Sequence, residues 1–262
     1  PARRRPMSTA ADQRKLQAAQ AAAALVEDGM LLGLGTGSTA ALFVTALATR
    51  LANGSLHGVR GVPTSAATAH QAGELGIPLE ELPPQGVDLA VDGMDELTAS
   101  LDATKGLGGA LLREKIVAAA AKRFVLIGDA SKLVDHLGQR APVPVEVARF
   151  GWRRTLRRLS ELAGGASLRA LGGEAIVTDN GNHIVDCRFD APFDADALAS
   201  SLDGLPGVLG HGLFLGMAHE ALVAGEGGLR RLTREADATS PRAGGPQREP
   251  SGAVQDSHEV TT

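Results

Sequence analysis

Two textures alternate along the first half of the chain. Short apolar runs at Met30–Gly33, Val59–Val62, Val87–Val91 and Phe124–Asp129 predict strands. Between and before them, apolar residues recur at helical spacing over Ala11–Glu27, Ser38–Ala52, Ala66–Leu75 and Ala110–Arg123. "IPLEEL" offers one further short strand. Strands alternating with helices predict an α/β fold on a mainly parallel sheet covered on both faces. After Arg140 the texture changes. "APVPVEV" reads as a proline-rich link, Arg149–Ala163 as a helix, and "IVTDNGNHIVDCRF" as a hairpin turning at Asn180–Gly181. A helix over Phe193–Leu202 and a strand over Gly207–Leu215 follow. The expected organisation is a first unit of residues 10–140 and 216–235, with a smaller α+β unit of 141–215 inserted. Residues 1–9 and 236–262 lack periodicity and large apolar content, and are expected to be disordered.

In parallel sheets, ligands sit beyond the carboxyl ends of the strands. Four predicted strands end in polar groups: Thr36, Ser38 and Thr39; Thr64 and Ser65; Asp92 and Asp95; Asp129 and Lys132. Turn chemistry explains one or two such ends, but four on one edge favour a site.

"LLGLGTGSTA" enters a loop of glycines and hydroxyls from a strand and leaves it into a helix. The dinucleotide fingerprint fits poorly, because Ser38 stands where its third glycine belongs and no acidic residue ends the next strand. The nucleoside triphosphate loop needs a lysine that is absent. What remains suits one phosphate or carboxylate at a helix N-terminus, or a glycine turn with Ser38 as N-cap.

"VDGMDEL" sets Asp92 and Asp95 three residues apart around Gly93. They could bind a divalent cation, bind sugar hydroxyls and move protons, or cap a helix. "KGLGGALLREK" places Glu114 on a helix face with Ala110, Leu111, Val117, Ala118 and Ala121. A carboxylate in that stripe should have a raised pKa, as a general base requires. The competing arrangement is a solvated Glu114 paired with Arg113, Lys115 or Lys122.

Composition narrows the classes. The net charge of −4 gives no reason to expect a nucleic-acid partner, and no apolar run is long enough to span a bilayer. The single cysteine, Cys187, excludes an internal disulfide and a cysteine-rich zinc site. The arginines near the N-terminus precede no apolar stretch, so no secretory signal is expected and the cytoplasm is the expected compartment. The arginines at 149, 153, 154, 157 and 158 read as the solvated face of an amphipathic helix.

These motifs, in this order, resemble the type A family of ribose-5-phosphate isomerases. The residues that carry the resemblance are "GLGTGSTA", "DGMDEL", "KGLGGALLREK" and "GDASKLV", with "PVPVEV", "VTDNGN" and "LPGVLGHGLF" in support, from Asp12 to Leu232. The resemblance implies a Rossmann-like α/β domain with a smaller ferredoxin-like α+β domain. It implies aldose–ketose isomerisation of ribose 5-phosphate without cofactor or metal, in a homodimer or homotetramer. It assigns Glu114 as the base, with Asp92, Asp95 and Lys105 in catalysis. Substrate binding would fall to Thr36, Gly37, Ser38, Thr39, Asp92, Gly93, Met94, Asp95, Lys105, Gly106, Leu107, Gly108 and Lys132. Three positions depart from the family: Met94 replaces a usual alanine, Leu107 a usual glycine, and Pro63 stands before Thr64 where the family is more serine-rich. Leu107 would be strained if its backbone needed positive φ. A sugar-phosphate-sensing domain and a coenzyme A transferase-like enzyme are the alternatives, separated by an assay with ribose 5-phosphate.

Overall fold

The computed structural model describes residues 9–234 of the 262. The elements run α1 (Ala10–Ala23), β1 (Leu31–Leu34), α2 (Ser38–Ala52), β2 (Arg60–Pro63), α3 (Ala66–Glu74), β3 (Val87–Gly93), β4 (Glu96–Leu97) and β5 (Ala103–Thr104). Then come α4 (Leu111–Ala119), β6 (Ala121–Asp129), β7 (Val143–Val147), α5 (Trp152–Ala163), β8 (Gly165–Leu168), β9 (Ala170–Leu171) and β10 (Glu174–Ala175). Last are β11 (His183–Arg188), α6 (Ala195–Asp203), β12 (Val208–His211), β13 (Leu213–Phe214), β14 (Glu220–Gly225) and β15 (Gly228–Thr233).

The main sheet has the order β15-β14-β6-β3-β1-β2, parallel except for β15. Its strands alternate between two cores, as a two-residue period requires. Leu32, Leu34, Val125 and Ile127 pack with α1 and α2 through Ala18, Ala22, Phe43 and Leu47. Leu31, Phe124, Leu126 and Val223 face the other way, onto Val117 and Ala118 of α4 and onto Phe214. A second, antiparallel sheet, β12-β7-β11-β8, covers a third core of Val143, Val145, Val147, Leu159, Val185 and Leu202. The two are linked by the small β13-β5-β4 sheet.

Several boundaries differ from expectation. Helix α1 stops at Ala23, not Glu27, because Leu25 and Val26 turn their amides to carbonyls three residues back. Arg50 from α2 also donates to the carbonyls of Ala23 and Val26. Helix α4 ends at Ala119 although Ala121–Arg123 would continue it, since those residues pair with β3 instead. Tertiary pairing overrides helix propensity there.

"APVPVEV" is no link: it forms β7, in the middle of the second sheet. A central proline is tolerated because the carbonyl opposite it is used elsewhere. Gly212 donates its N–H to the Pro144 carbonyl (2.7 Å), while the Gly212 carbonyl accepts from the N–H of Lys105 (2.8 Å). The expected hairpin shrinks to one bridge, Val177 to His183, around a turn with Gly181 at φ +80°. Both edges of β11 are already taken by β7 and β8. The expected strand at Gly207–Leu215 splits at Gly212, where the chain changes sheet. "IPLEEL" makes a single bridge, Leu79 to Gly61.

Thr9, expected in the loose N-terminal segment, instead caps α1. Its hydroxyl accepts from the Asp12 N–H, and the Asp12 carboxylate accepts from the Thr9 N–H. The disorder expected of 1–8 and 236–262 lies outside the described residues. No described helix is long and apolar enough to cross a membrane.

Candidate active site

One cleft opens beyond the carboxyl ends of β1, β3 and β6. It is lined by Thr36, Gly37, Ser38 and Thr39, by Gly93, Met94 and Asp95, by Lys105, Gly106 and Gly108, and by Glu114 and Lys132. Lys15 of α1 completes the lining, and sequence reasoning missed it. Asp92 lies just beneath the floor, and Leu107 turns its side chain outward.

The glycine loop is built to present backbone amides. Gly37 caps α2 at φ +109°, a conformation that glycine adopts without penalty. Ser38 is the first helical residue, not the N-cap, and no side chain caps this helix. The first amides of α2 therefore remain available to an anion, aided by the helix dipole. Lys15 places its Nζ 3.3 Å from the Ser38 hydroxyl, and Lys132 approaches from the short turn after β6. Asp129 caps that turn through the Ser131 N–H rather than facing the cleft.

Thr36 points away from the α2 amides. Its hydroxyl joins those of Thr64 (2.7 Å), Ser65 (2.8 Å) and Thr68 (3.1 Å). Its N–H donates to Asp92 Oδ1 at 3.1 Å, as does the N–H of Gly93 at 2.7 Å. Thr64 and Ser65 thus stand behind the loop rather than in the cleft.

Three buried charges occupy the centre. Lys105 Nζ lies 3.0 Å from Asp92 Oδ2 and 3.3 Å from Glu114 Oε2, and donates to the Gly93 carbonyl at 2.6 Å. All three side chains are 2–3% exposed. Glu114 is therefore not a solvated surface glutamate. Arg113 binds the Asp179 carbonyl and Asn180, Lys115 meets His211, and Lys122 pairs with Asp88. Glu114 Oε2 has no hydrogen-bond partner among the described residues.

Burial, then the charge of Asp92, pushes the Glu114 carboxyl up to about 8 against the opposing pull of Lys105. Burial also raises Asp92, but Lys105 and two N–H donors oppose it. Asp92 is the better-held carboxylate of the pair, so a shared proton belongs on Glu114. Burial would lower Lys105, yet Asp92 and Glu114 outweigh it and hold the ammonium at about 12. Asp95, raised by burial, accepts the Leu107 N–H at 2.9 Å.

The departures at Met94 and Leu107 have simple accommodations. Positive φ falls on Gly106 and Gly109, not on Leu107. The Met94 methyl lies 2.7 Å from where a Cβ of residue 128 would stand, so Gly128 leaves it room.

A second unforeseen residue, a carboxylate, supports the site from behind. Glu146 of β7 is fully buried, and its Oε1 accepts from Thr178, Asn180 and Asn182. The turn it holds binds Arg113 next to Glu114, and through Asp179 it accepts the Ala66 N–H at the start of α3. Nothing in the sequence signalled this contact, because "PVPVEV" reads as a link.

No group of three or more His, Cys, Asp or Glu side chains able to hold a metal ion occurs among the described residues. Cys187 is packed in the third core, its thiol pushed up to about 12 by burial.

A family model for ribose 5-phosphate isomerase A (phosphoriboisomerase A) matches residues 60–228. The chain is 48% identical over 220 residues to ribose-5-phosphate isomerase A of Deinococcus radiodurans, covering 84% of this chain and 97% of that one. The solved ribose 5-phosphate isomerase from Plasmodium falciparum gives a TM-score of 0.83 at 36% identity, over 86% of this chain and 99% of that one. A D-ribose-5-phosphate isomerase solved in complex with phospho-erythronic acid gives 0.83 at 37% identity, over 86% of this chain and 100% of that one. With its fold matched over nearly the full length of these proteins and 48% identity to a relative over 84% of the chain, it belongs to the ribose 5-phosphate isomerase A family.

Proposed function

We propose that Glu114 is the base of an aldose–ketose isomerisation carried out in this cleft. The protein interconverts D-ribose 5-phosphate and D-ribulose 5-phosphate, the activity of its family and a step of the non-oxidative pentose phosphate pathway. The observation that carries the role of Glu114 is a carboxylate in the cleft lining that is itself buried, with Oε2 3.3 Å from the Lys105 ammonium and no hydrogen bond to that oxygen among the described residues.

In the aldose-to-ketose direction, Glu114 takes the proton from C2 as the C1 carbonyl becomes an enediolate oxygen. The same carboxyl then protonates C1, its proton exchanging with solvent during the lifetime of the enediolate, and the hydroxyl proton of O2 passes to O1. A pKa near 8 suits a group that must both accept and release a proton near neutrality. Lys105 stays charged throughout and offsets the negative charge that develops on the two oxygens. Asp95, raised by burial, moves the hydroxyl proton. Asp92 holds Lys105 in place and keeps the proton affinity of Glu114 high.

The phosphate belongs at the N-terminus of α2, among Ser38, Thr39, Lys15 and Lys132. Anchoring the substrate away from its reacting end lends binding energy to the orientation of C1 and C2. Phospho-erythronic acid, held by one relative, carries a carboxylate and a phosphate on one short chain. An enediolate sugar phosphate distributes its charge in the same way. A sugar-phosphate sensor would need the anchor but not a buried carboxylate beside a buried lysine in the same cleft.

Following the family resemblance, the protein is taken to work without a cofactor, in the cytoplasm, as a homodimer or homotetramer. Sedimentation velocity of the purified chain tests the oligomeric part. The role of Glu114 is tested by Glu114→Gln, which keeps size but removes the base. Turnover of ribose 5-phosphate should fall by about 10²–10⁴-fold with little change in KM. Near-normal turnover would refute the assignment.

A further inference from the structure

The Lys105–Gly109 loop carries the catalytic lysine, yet much of what holds it comes from the second sheet. Arg169 lies between β8 and β9 and is 11% exposed. Its own backbone is fixed, its N–H donating to the Ile184 carbonyl at 2.8 Å and its carbonyl accepting from Ile176 at 3.0 Å. One edge of its guanidinium forks onto Asp186 of β11, with Nε 2.9 Å from Oδ2 and Nη2 on Oδ1. The remaining nitrogen, Nη1, reaches across to the loop. It donates to the Gly106 carbonyl at 2.9 Å and the Leu107 carbonyl at 3.0 Å.

Those two carbonyls flank the amide that matters. Between them, the Leu107 N–H donates to Asp95 Oδ2 at 2.9 Å. The other end of the loop is tied to the same sheet, through the Lys105 N–H on the Gly212 carbonyl that Pro144 cannot claim. Gly106 sits at φ +101° with no room for a side chain: a Cβ there would lie 2.6 Å from Leu111 Cβ. The loop thus depends on outside partners to keep its shape.

We propose that Arg169 is a positioning residue for the isomerisation. It acts as a fork, with Asp186 fixing one side and the loop carbonyls bound by the other. In this way it holds the Leu107 amide on Asp95 and Lys105 between Asp92 and Glu114. Planarity is what the role requires. A guanidinium can serve a carboxylate and two carbonyls in fixed directions, whereas an ammonium cannot reach all of them at once. The proposal rests on Asp95, Lys105 and Glu114 doing the chemistry. It adds that their geometry is set by a residue that lines no part of the cleft.

The test compares Arg169→Ala, Arg169→Lys and Asp186→Asn with the unaltered full chain. Misplacing catalytic groups by a fraction of an ångström to one ångström costs up to about 10²-fold in rate. Arg169→Ala should therefore lose about 10- to 10²-fold in kcat. KM for ribose 5-phosphate should change less than about threefold, because the phosphate anchors lie elsewhere. Added guanidinium ion at non-denaturing concentration should restore part of the lost kcat in Arg169→Ala and do nothing for the unaltered enzyme. If the alanine variant does not fold, Arg169→Lys and Asp186→Asn carry the test. Each should show the kcat loss, together with faster amide hydrogen exchange in the Gly106–Gly109 segment. Unchanged kcat in the folded variants, or a rise in KM with kcat intact, overturns the proposal. The outcome is separable from that of Glu114. An active Glu114→Gln beside an impaired Arg169→Lys would remove the base assignment and leave the tether. The reverse would remove the tether alone.

Discussion

Lys105 Nζ stands between two buried carboxylates, 3.0 Å from Asp92 and 3.3 Å from Glu114. One cation cannot neutralise both anions, so the less well held carboxylate retains its proton to high pH. Asp92 has two backbone N–H donors, whereas Glu114 Oε2 has none. This asymmetry selects Glu114 as the group that titrates.

The first consequence is a pH dependence. The base acts as carboxylate, and its pKa in the free protein is raised to about 8 by burial and by Asp92. The kcat/KM for ribose 5-phosphate should climb with pH up to about 8 and then level. A profile already flat from pH 5.5 would mean an unperturbed carboxylate does the work.

The same shift has a stability consequence of opposite sense. A carboxyl whose folded pKa is raised from 4.5 to about 8 favours folding in its protonated form. That contribution is complete below pH 4.5 and is lost as pH rises through 8. The melting temperature of the unaltered chain should thus fall relative to Glu114→Gln between pH 5 and pH 8.5. A constant gap between the two would contradict a raised pKa.

Lys15 tests the anchor. Lys15→Met keeps the stem of the side chain but removes the charge beside Ser38. Hydrogen bonds from charged groups contribute about 1.5–3 kcal/mol, so KM should rise about 10- to 10²-fold, with kcat changed much less. A loss confined to kcat would place Lys15 at the reacting end.

Two neighbouring glycines should fail for different reasons. A Cβ at Gly35 would lie 2.2 Å from Asp92 Oδ1, so Gly35→Ala must displace the central aspartate and should abolish most turnover. A Cβ at Gly37 meets nothing within 4 Å, and the cost there is backbone strain at φ +109° alone. Gly37→Ala should lower stability by about 1–3 kcal/mol by denaturant titration, with a milder effect on rate. Equal losses of rate in both would contradict this division.

Sequence pattern and structure agree where one short segment carries its own physics. The glycine–hydroxyl loop after β1, the paired aspartates at the end of β3 and the apolar stripe around Glu114 each combine periodicity with chemistry within a dozen residues. What escaped notice depends on partners far along the chain. Lys15 sits in a polar helix more than twenty residues before Ser38, and only the packing of α1 on α2 brings them together. Arg169 and Glu146 act through loops that the sheets deliver. Strand β7 was hidden by Pro142 and Pro144, of which only Pro144 lies in the strand, tolerated because Lys105 takes the Gly212 carbonyl. The end of α4 was hidden by alanine, lysine and arginine, which favour helix until β3 claims them.

The most direct test of the central claim follows one proton. Ribose 5-phosphate is incubated in deuterated water with the unaltered chain and with Glu114→Gln, and deuterium at C2 is read by proton NMR. If Glu114 abstracts that proton, the unaltered protein washes deuterium into C2 during turnover. The Gln variant should then show exchange lower by at least about 10²-fold while still binding the sugar phosphate. Exchange by the Gln variant at the normal rate would contradict the account and move the base to another group, with Asp95 first in line.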